Sequence, residues 1–550
     1  MLNHPSGRTI ALRGRWRRWL LTCSIIASIV LSASPRTYSA VTAQDSQPPP
    51  APAPEIGAGG AAAKIDPLVL EQAGVAGGAA YFIWLAEQAD LSGAGQLGTK
   101  AEKGAYVYNT LRATAERTQQ ALRAELDAAG VRYQPFYIAN KIFVYGGTGQ
   151  LALALAGRAE VARITPNRQY QLPEPLVPPG VAAEAAGVES NLTFIRADQV
   201  WAAGVTGAGI VLAGNDTGLQ WDHPAIRSHY RGWSGVAANH NYNWWDATGT
   251  YPSQPGDGHG HGTHTTGTMV GDDGGENRIG VAPGARTIHC KNMTDSGGGS
   301  DFTFTTCLQW DLAPWDLTGS NPRPDLAPHA VNNSWGYWNG NNPIFEEEID
   351  ALQAAGIAVE VSAGNEGPFC ATLRSPGDHA QVLTTGSVSH FGGSLPGVLT
   401  DFSSRGPSSL DPGGYFPDIM APGEGIRSSL PGGQYAAWSG TSMAGPHVTA
   451  LIGLMWAASP GLVGLVPETY DLILATAVPL TGQTGSNCGG DYAEGPNNDW
   501  GHGAIDALAA VQAAILFGDA GAISGIVTSS AGGEPVSGAN VRIEGSGRTW

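Results

Sequence analysis

The sequence runs to 550 residues, longer than one core ordinarily fills, so at least two folded parts are expected. Only 14% of the residues are charged and 78 are glycine, a composition that suits a loop-rich extracellular protein. The formal net charge is −18, yet six of the 29 basic residues fall within residues 1–43, where no acidic residue occurs, so the remainder is more acidic still. Such a body repels nucleic acid and anionic membranes, which excludes both as expected partners.

Residues 1–43 open with Arg13, Arg15, Arg17 and Arg18, continue as an apolar run from Trp19 to Ser32, and reach small residues before Ala40 and Ala43. That order is the order of a secretory signal peptide. The apolar run is shorter than the roughly 20 residues a spanning helix needs, so no stable membrane insertion is expected once the signal is removed. A secreted protein, extracellular or held at the cell surface by its C-terminal module, meets an oxidising compartment. There Cys290, Cys307, Cys370 and Cys488 can pair in three ways. Cys290 and Cys307 flank one loop region and are expected to pair, which leaves Cys370 for Cys488.

Residues 44–64 form a Pro, Ala and Gly linker without the large apolar groups a core needs. Residues 65–172 read as a small α+β unit. Val107, Leu111, Leu122 and Leu126 recur at helical spacing and Gly130 stops them; Tyr133 to Tyr145 reads as one strand, Leu151 to Ala156 as a helix, and Val161 to Ile164 as a strand. Residues 173–190 begin with a second Pro-rich stretch, extended and open to cleavage, where a processing site is expected.

Residues 191–518 alternate apolar runs with helical stretches. Strands are expected at Gly209 to Gly214, Val331 to Ser334, Ile357 to Ser362 and Val382 to Val388. Helices are expected at Thr263 to Val270, Ile344 to Ala355, Thr441 to Ala458 and Ala504 to Ile515. Continuous apolar strands between helices imply an α/β fold with a parallel sheet and right-handed crossovers, whose site lies at the carboxyl ends of the strands. Residues 519–550 change character again and read as the start of a β-sandwich module.

Four segments carry candidate chemistry. The strand ending in Gly214 delivers Asn215-Asp216-Thr217-Gly218, a carboxylate at a strand end that could also be a turn or cap residue. Gly260-His261-Gly262-Thr263-His264 presents an imidazole at a helix start between two glycines. Gly440-Thr441-Ser442-Met443 places a hydroxyl and its own N–H at a helix N-terminus, where unpaired donors favour a developing oxyanion. Ser362-Ala363-Gly364-Asn365 ends another strand with an amide in a Gly-flanked turn. A zinc reading of His259, His261 and His264 beside Asp257 is weak, because His261 and His264 are three apart rather than four and no Glu lies between them.

In the order Asp, His, Asn, Ser these segments resemble the subtilisin-like serine proteases, nearest to the bacillopeptidase F type. Asn332-Asn333-Ser334-Trp335-Gly336 and Asn215-Asp-Thr-Gly-Leu-Gln-Trp-Asp-His-Pro224 carry the closer match. The resemblance implies the family's three-layer α/β fold and an endopeptidase acting on proteins or peptides, with Asp216, His261 and Ser442 as a triad and Asn365 completing the oxyanion hole. It implies that Ser334, Trp335, Gly336, Ser362, Ala363 and Gly364 line the pocket for the side chain before the cut, and that Gly298, Gly299 and Ser300 pair with extended substrate. On Trp335 an apolar or aromatic preference is expected, although Glu366 at the pocket mouth could admit a basic residue. The unit at 65–172 resembles the family's propeptide, which makes the chain's own propeptide an intramolecular inhibitor, and a monomer is expected. No cofactor is required for the chemistry. Structural calcium stays an open expectation, since the family's usual His-Pro-Asp is here His223-Pro224-Ala225, and the metal ligands are unassigned. A catalytically dead relative serving as a binding protein is the main rival, and the presence of all four chemical residue types speaks against it.

Overall fold

The computed structural model describes residues 60–519 except 75–77, 178–186, 338–339 and 484. The signal peptide read over 1–43, the Pro-rich tract before residue 60, residues 178–186 of the processing stretch and the β-sandwich module beyond Asp519 lie outside the described residues.

An eight-stranded, almost wholly parallel sheet organises the body. Its strands run in the order Val398–Leu399, Leu383–Ser389, Ala358–Ser362, Ala330–Asn333, Val211–Asp216, Arg286–Lys291 and Trp244–Asp246, with Ile419–Pro422 also pairing Leu383–Ser389. Only the edge strand Val398–Leu399 is antiparallel. Helices cover both faces, which is why strands such as Ala358–Ser362 are buried along their whole length and read as continuous apolar runs. This is the three-layer α/β fold.

The helix Thr441–Ala458 is buried from Thr441 through Trp456. A helix apolar on every side belongs inside a large core. It packs against the strand Val211–Asp216, and the Gly453 backbone comes so near that a Cβ there would stand 3.3 Å from Leu212. Two disulfides brace this frame: Cys290 of the strand Arg286–Lys291 to Cys307 of the helix Asp301–Leu312, both fully buried with Cα atoms 5.6 Å apart, and Cys370 to Cys488, with Cα atoms 5.3 Å apart.

Residues 60–172 build a second, antiparallel sheet in the order Tyr133–Phe136, Lys141–Gly147, Ala79–Leu85, Val161–Pro166. Its long helix, Lys100–Ala128, starts with a capping box in which Thr99 and Glu102 satisfy each other's N–H groups. The single strand expected over Tyr133 to Tyr145 is in fact a hairpin. A turn at residues 137–140, closed by Asn140 at φ 38°, reverses the chain, and Asn tolerates that left-handed region better than most side chains. The central strand Ala79–Leu85 escaped the sequence reading because it is buried on both faces. Tyr81, Ile83 and Leu85 join Leu122 and Leu126 in the unit's own core, while Phe82 and Trp84 point the other way, into a core shared with Phe304, Trp310 and Val331 of the body.

That shared core contains a fully buried ion pair, Lys141 with Glu348, across the two units. Thr305 Oγ1 also donates to the Glu348 carboxylate at 3.2 Å, and the Lys141 ammonium lies 4.2 Å from the Trp84 ring and 4.6 Å from the Phe82 ring. Removing one member strands the other's charge in the interior, at a cost of about 3–5 kcal/mol, whereas apolar replacement of both is often neutral. In a Ser442→Ala background, Lys141→Ala is therefore expected to lower the urea unfolding free energy by about that amount. Lys141→Met combined with Glu348→Leu should recover most of it, and equal losses in both variants would contradict the account.

Candidate active site

Asp216 ends the strand Val211–Asp216 and His261 begins the helix His261–Val270. His261 Nδ1 lies 2.7 and 2.9 Å from the two Asp216 carboxylate oxygens, which leaves Nε2 as the nitrogen available to a reacting partner. Two glycines make the approach possible. Gly260 sits at φ 99°, a conformation other residues avoid, and a Cβ on Gly262 would stand 2.1 Å from the Gly218 carbonyl oxygen.

The Asp216 carboxylate is wholly buried, and burial by itself would push its pKa up. The His261 ring and the Thr217 N–H, which donates at 2.7 Å, outweigh burial and hold it below the usual carboxylate range. Thr265 Oγ1 adds a contact at 3.3 Å from one turn further along the helix. From the sequence alone Thr265 was assigned no role. The findable signal was its spacing, four residues beyond His261 and so on the same helix face.

Asp257 is the second residue whose role the sequence did not disclose. Its carboxylate accepts from His259 N–H, Gly260 N–H, Thr263 N–H, Thr263 Oγ1 and Thr217 Oγ1, all between 2.7 and 3.1 Å. Thr217 Oγ1 in turn accepts from Gly262 N–H at 2.9 Å. One buried carboxylate thus caps the helix and ties its start to the strand end that carries Asp216.

Ser442 is the second residue of the helix Thr441–Ala458. Pro446, four residues on, has no N–H for the Ser442 carbonyl, and the Ser334 hydroxyl donates to that carbonyl instead at 3.0 Å. The Ser442 hydroxyl points back to the Ser334 carbonyl at 3.3 Å. Asn365 is oriented from the same helix start: its Oδ1 accepts from Thr441 N–H at 2.8 Å and Thr441 Oγ1 at 2.9 Å, so its Nδ2 group is left to donate elsewhere. Ser442 and Asn365 therefore share one neighbour, Thr441.

Gly298, Gly299 and Ser300 form an edge strand, and the chain's own Gln169–Gln171 lies on it antiparallel. Leu172 N–H donates to the Gly297 carbonyl at 2.9 Å, and Leu176 pairs in both directions with Ser439, three residues before Ser442. Residues 169–176 consequently cross the face where Ser442 sits. Trp335 does not stand open to this face. Its ring stacks on Phe304 at 4.0 Å and is 2% exposed, while Tyr170 reaches Phe304 and Tyr337 nearby. Glu366, read as a free charge at the pocket mouth, is bound by Arg374, which lies against Gly336 and Gly364. Ser362 and Ala363 are buried at the end of their strand.

The three clustered histidines do not converge: His264 Nε2 meets the Ala436 carbonyl and its ring stacks on Trp438, while the His259 and His261 rings are 6.2 Å apart. Ala225 offers only backbone, donating to His223 Nδ1 and accepting from Asp272 N–H. The neighbouring Asp272 and Asp273 accept from Gly274, Gly275 and Asn277 of their own loop. Ala225 thus supplies no carboxylate where the family's usual His-Pro-Asp has one, and among the described residues no group of three or more His, Cys, Asp or Glu gathers as metal ligands.

Residues 207–503 match the model of the subtilase family. The chain belongs to that family. Over 435 residues, 76% of the chain, it is 37% identical to bacillopeptidase F of Bacillus subtilis (strain 168), of which those residues cover 29%. It is 29% identical over 278 residues to subtilisin E of the same organism, covering 50% of this chain and 63% of that one. The major intracellular serine protease of that organism is 29% identical over 268 residues, covering 48% and 74%. The chain thus spans under two thirds of the length of bacillopeptidase F and of subtilisin E.

Around the catalytic face of this subtilase, buried histidines stay neutral. Burial pushes His264 down to about 3, His289 to about 4 and His447 to about 3. In the unfolded chain each takes up a proton near pH 6.5, so the unfolded state binds more protons as the pH falls below that value. Each such histidine therefore makes stability fall from about pH 6.5 to about pH 4, by up to ~1.4 kcal/mol per pH unit, while the burial that raises Asp311 and Glu360 to about 8 and Asp418 to about 7 works in the opposite direction over the same range. Asp216, whose pKa is lowered, adds stability that is lost only further into acid. The histidine contribution is read by difference: in the Ser442→Ala background, His447→Asn is expected to change unfolding free energy between pH 7 and pH 5 more favourably than its parent by about 2 kcal/mol, and an identical pH dependence of the two would contradict neutral burial of His447.

Proposed function

We propose that the chain is a secreted serine endopeptidase, made as a precursor that processes itself and hydrolyses peptide bonds in proteins. The observation that carries this reading is the bidentate approach of His261 Nδ1 to a buried Asp216, with Ser442 and Asn365 held at one helix start. In the reaction Ser442 Oγ turns from the Ser334 carbonyl to His261 Nε2 and attacks the scissile carbonyl as the ring takes its proton. Asp216 holds the ring in place and stabilises the imidazolium. The oxyanion is received by Asn365 Nδ2 and the Ser442 N–H, donors already directed before substrate arrives. His261 then passes its proton to the leaving amine, and water releases the acyl group by the same steps in reverse.

Extended substrate joins the edge Gly298–Ser300 by strand addition, the place that Gln169–Gln171 fills in the precursor. That pairing supports reading residues 65–172 as an intramolecular inhibitor. The basic, apolar and small-residue order of residues 1–43 and the two disulfides support export to an oxidising compartment.

A fluorophosphonate probe is expected to label the processed protein and not its Ser442→Ala variant; equal labelling of both would defeat the enzyme reading. Asn365→Leu should keep the labelling site but lower turnover on an unfolded protein substrate by about 100 to 1000-fold, the usual effect of losing one oxyanion donor. An unchanged rate would remove Asn365 from the mechanism.

A further inference from the structure

Two backbone segments flank the reacting serine, Ser334–Gly336 through its contacts with Ser442 and Ser362–Gly364 through Asn365. A side chain stands between them. A Cβ on Gly336 would lie 2.8 Å from Arg374 Cβ, and one on Gly364 would lie 2.9 Å from Arg374 Cγ and 2.8 Å from Glu366 Oε2. The Arg374 stem therefore touches both segments, and its side chain is 3% exposed.

The arginine is held in place by a fork. Its Nε and Nη2 groups donate to the two carboxylate oxygens of Glu366, and Nη1 donates to the Gly336 carbonyl at 3.4 Å. Glu366 also accepts from Asn365 N–H at 3.0 Å and Ser404 Oγ at 3.3 Å. Planar bidentate pairing of this kind fixes geometry as well as charge. A side chain inserted between the Gly336 and Gly364 backbones would end against this pair. A long apolar or aromatic group meets the arginine stem, a basic group meets the guanidinium, and an acidic group meets the Glu366 carboxylate.

We propose that Arg374 and Glu366 form the floor of the pocket for the substrate residue on the acyl side of the cut and restrict it to short, uncharged side chains. This rests on the protease reading above and replaces the aromatic preference drawn from Trp335, whose ring is spent on Phe304. The floor carries two opposite charges that cancel, so removing either takes this counter-charge from the other in a largely desolvated place. Loss of Arg374 exposes a carboxylate and empties the slot. Loss of the Glu366 charge removes that counter-charge from the guanidinium with the slot still filled.

The test is a peptide library varied at the acyl-side position, run on the processed protein, Arg374→Ala and Glu366→Gln, with active sites counted by fluorophosphonate labelling. For the unaltered protein, kcat/KM is expected to be at least about tenfold higher for Ala or Ser than for Phe, Lys or Glu at that position. Arg374→Ala should raise Lys, Arg and Phe relative to Ala by about tenfold or more. Glu366→Gln, which keeps an acceptor for the Asn365 N–H, should raise Glu and Asp instead. A preference of the unaltered protein for aromatic, basic or acidic residues overturns the inference whether or not the variants fold. Labelled variants whose profiles match the unaltered one overturn it as well. Absence of labelling in the unaltered protein overturns the protease reading and this inference with it, whereas labelling with a different profile overturns only the inference.

Discussion

A carboxylate with no exposure to water must be compensated or it protonates, and Asp216 sets this condition for the whole site. Compensation by His261 requires a strand end and a helix start to meet at hydrogen-bonding distance. Meeting so closely leaves no space for a side chain at position 262, where a Cβ would intrude on the Gly218 carbonyl. It also leaves the first N–H groups of the helix without partners, and Asp257 takes them up while holding Thr217. The glycines, the threonines and the second aspartate of this region are thus consequences of burying one charge.

The same economy operates at the serine. A proline at position 446 breaks the helix ladder and frees the Ser442 carbonyl, and the freed carbonyl becomes the anchor for Ser334 at the edge of the cleft. Thr441 then joins Asn365 to the same helix start through both its N–H and its hydroxyl. Ser442, Asn365 and the Ser334 edge are in this way positioned by a single turn of helix on rigid, buried elements, which is the arrangement that keeps a site preorganised.

The parts of this plan legible in the sequence were those written within one short stretch. Gly260-His261-Gly262 and Gly440-Thr441-Ser442 declare helix starts against a sheet, and the apolar run after Ser442 declares a buried helix. Elements whose burial depends on distant partners were not legible. The strand Arg286–Lys291 reads as polar, yet Lys291 is fully buried because its ammonium donates to the Thr217 carbonyl and to Asp295. Thr265, Asp257 and Arg374 are ordinary surface-type residues by composition. Their meaning lies in contacts made across the fold, and no local pattern announces them.

Residues 60–172 raise a question of release. Their apolar face is continuous with the core of the body, through Phe82, Trp84, Phe136 and Phe143, and the buried Lys141–Glu348 pair crosses the same boundary. Leu172 is paired with Gly297 and Leu176 with Ser439, three residues before Ser442, so a cut between them leaves strong anchors on the upstream side. Cutting changes the entropy of holding the unit in place more than it changes the contacts: an intramolecular association becomes a bimolecular one, with the loss of a high effective concentration. On the proposed reading, a single cut would therefore leave the cleft covered. Opening it requires the severed unit to dissociate against a shared core or to be unfolded and degraded, and the compactness of that unit then sets how long the serine stays masked.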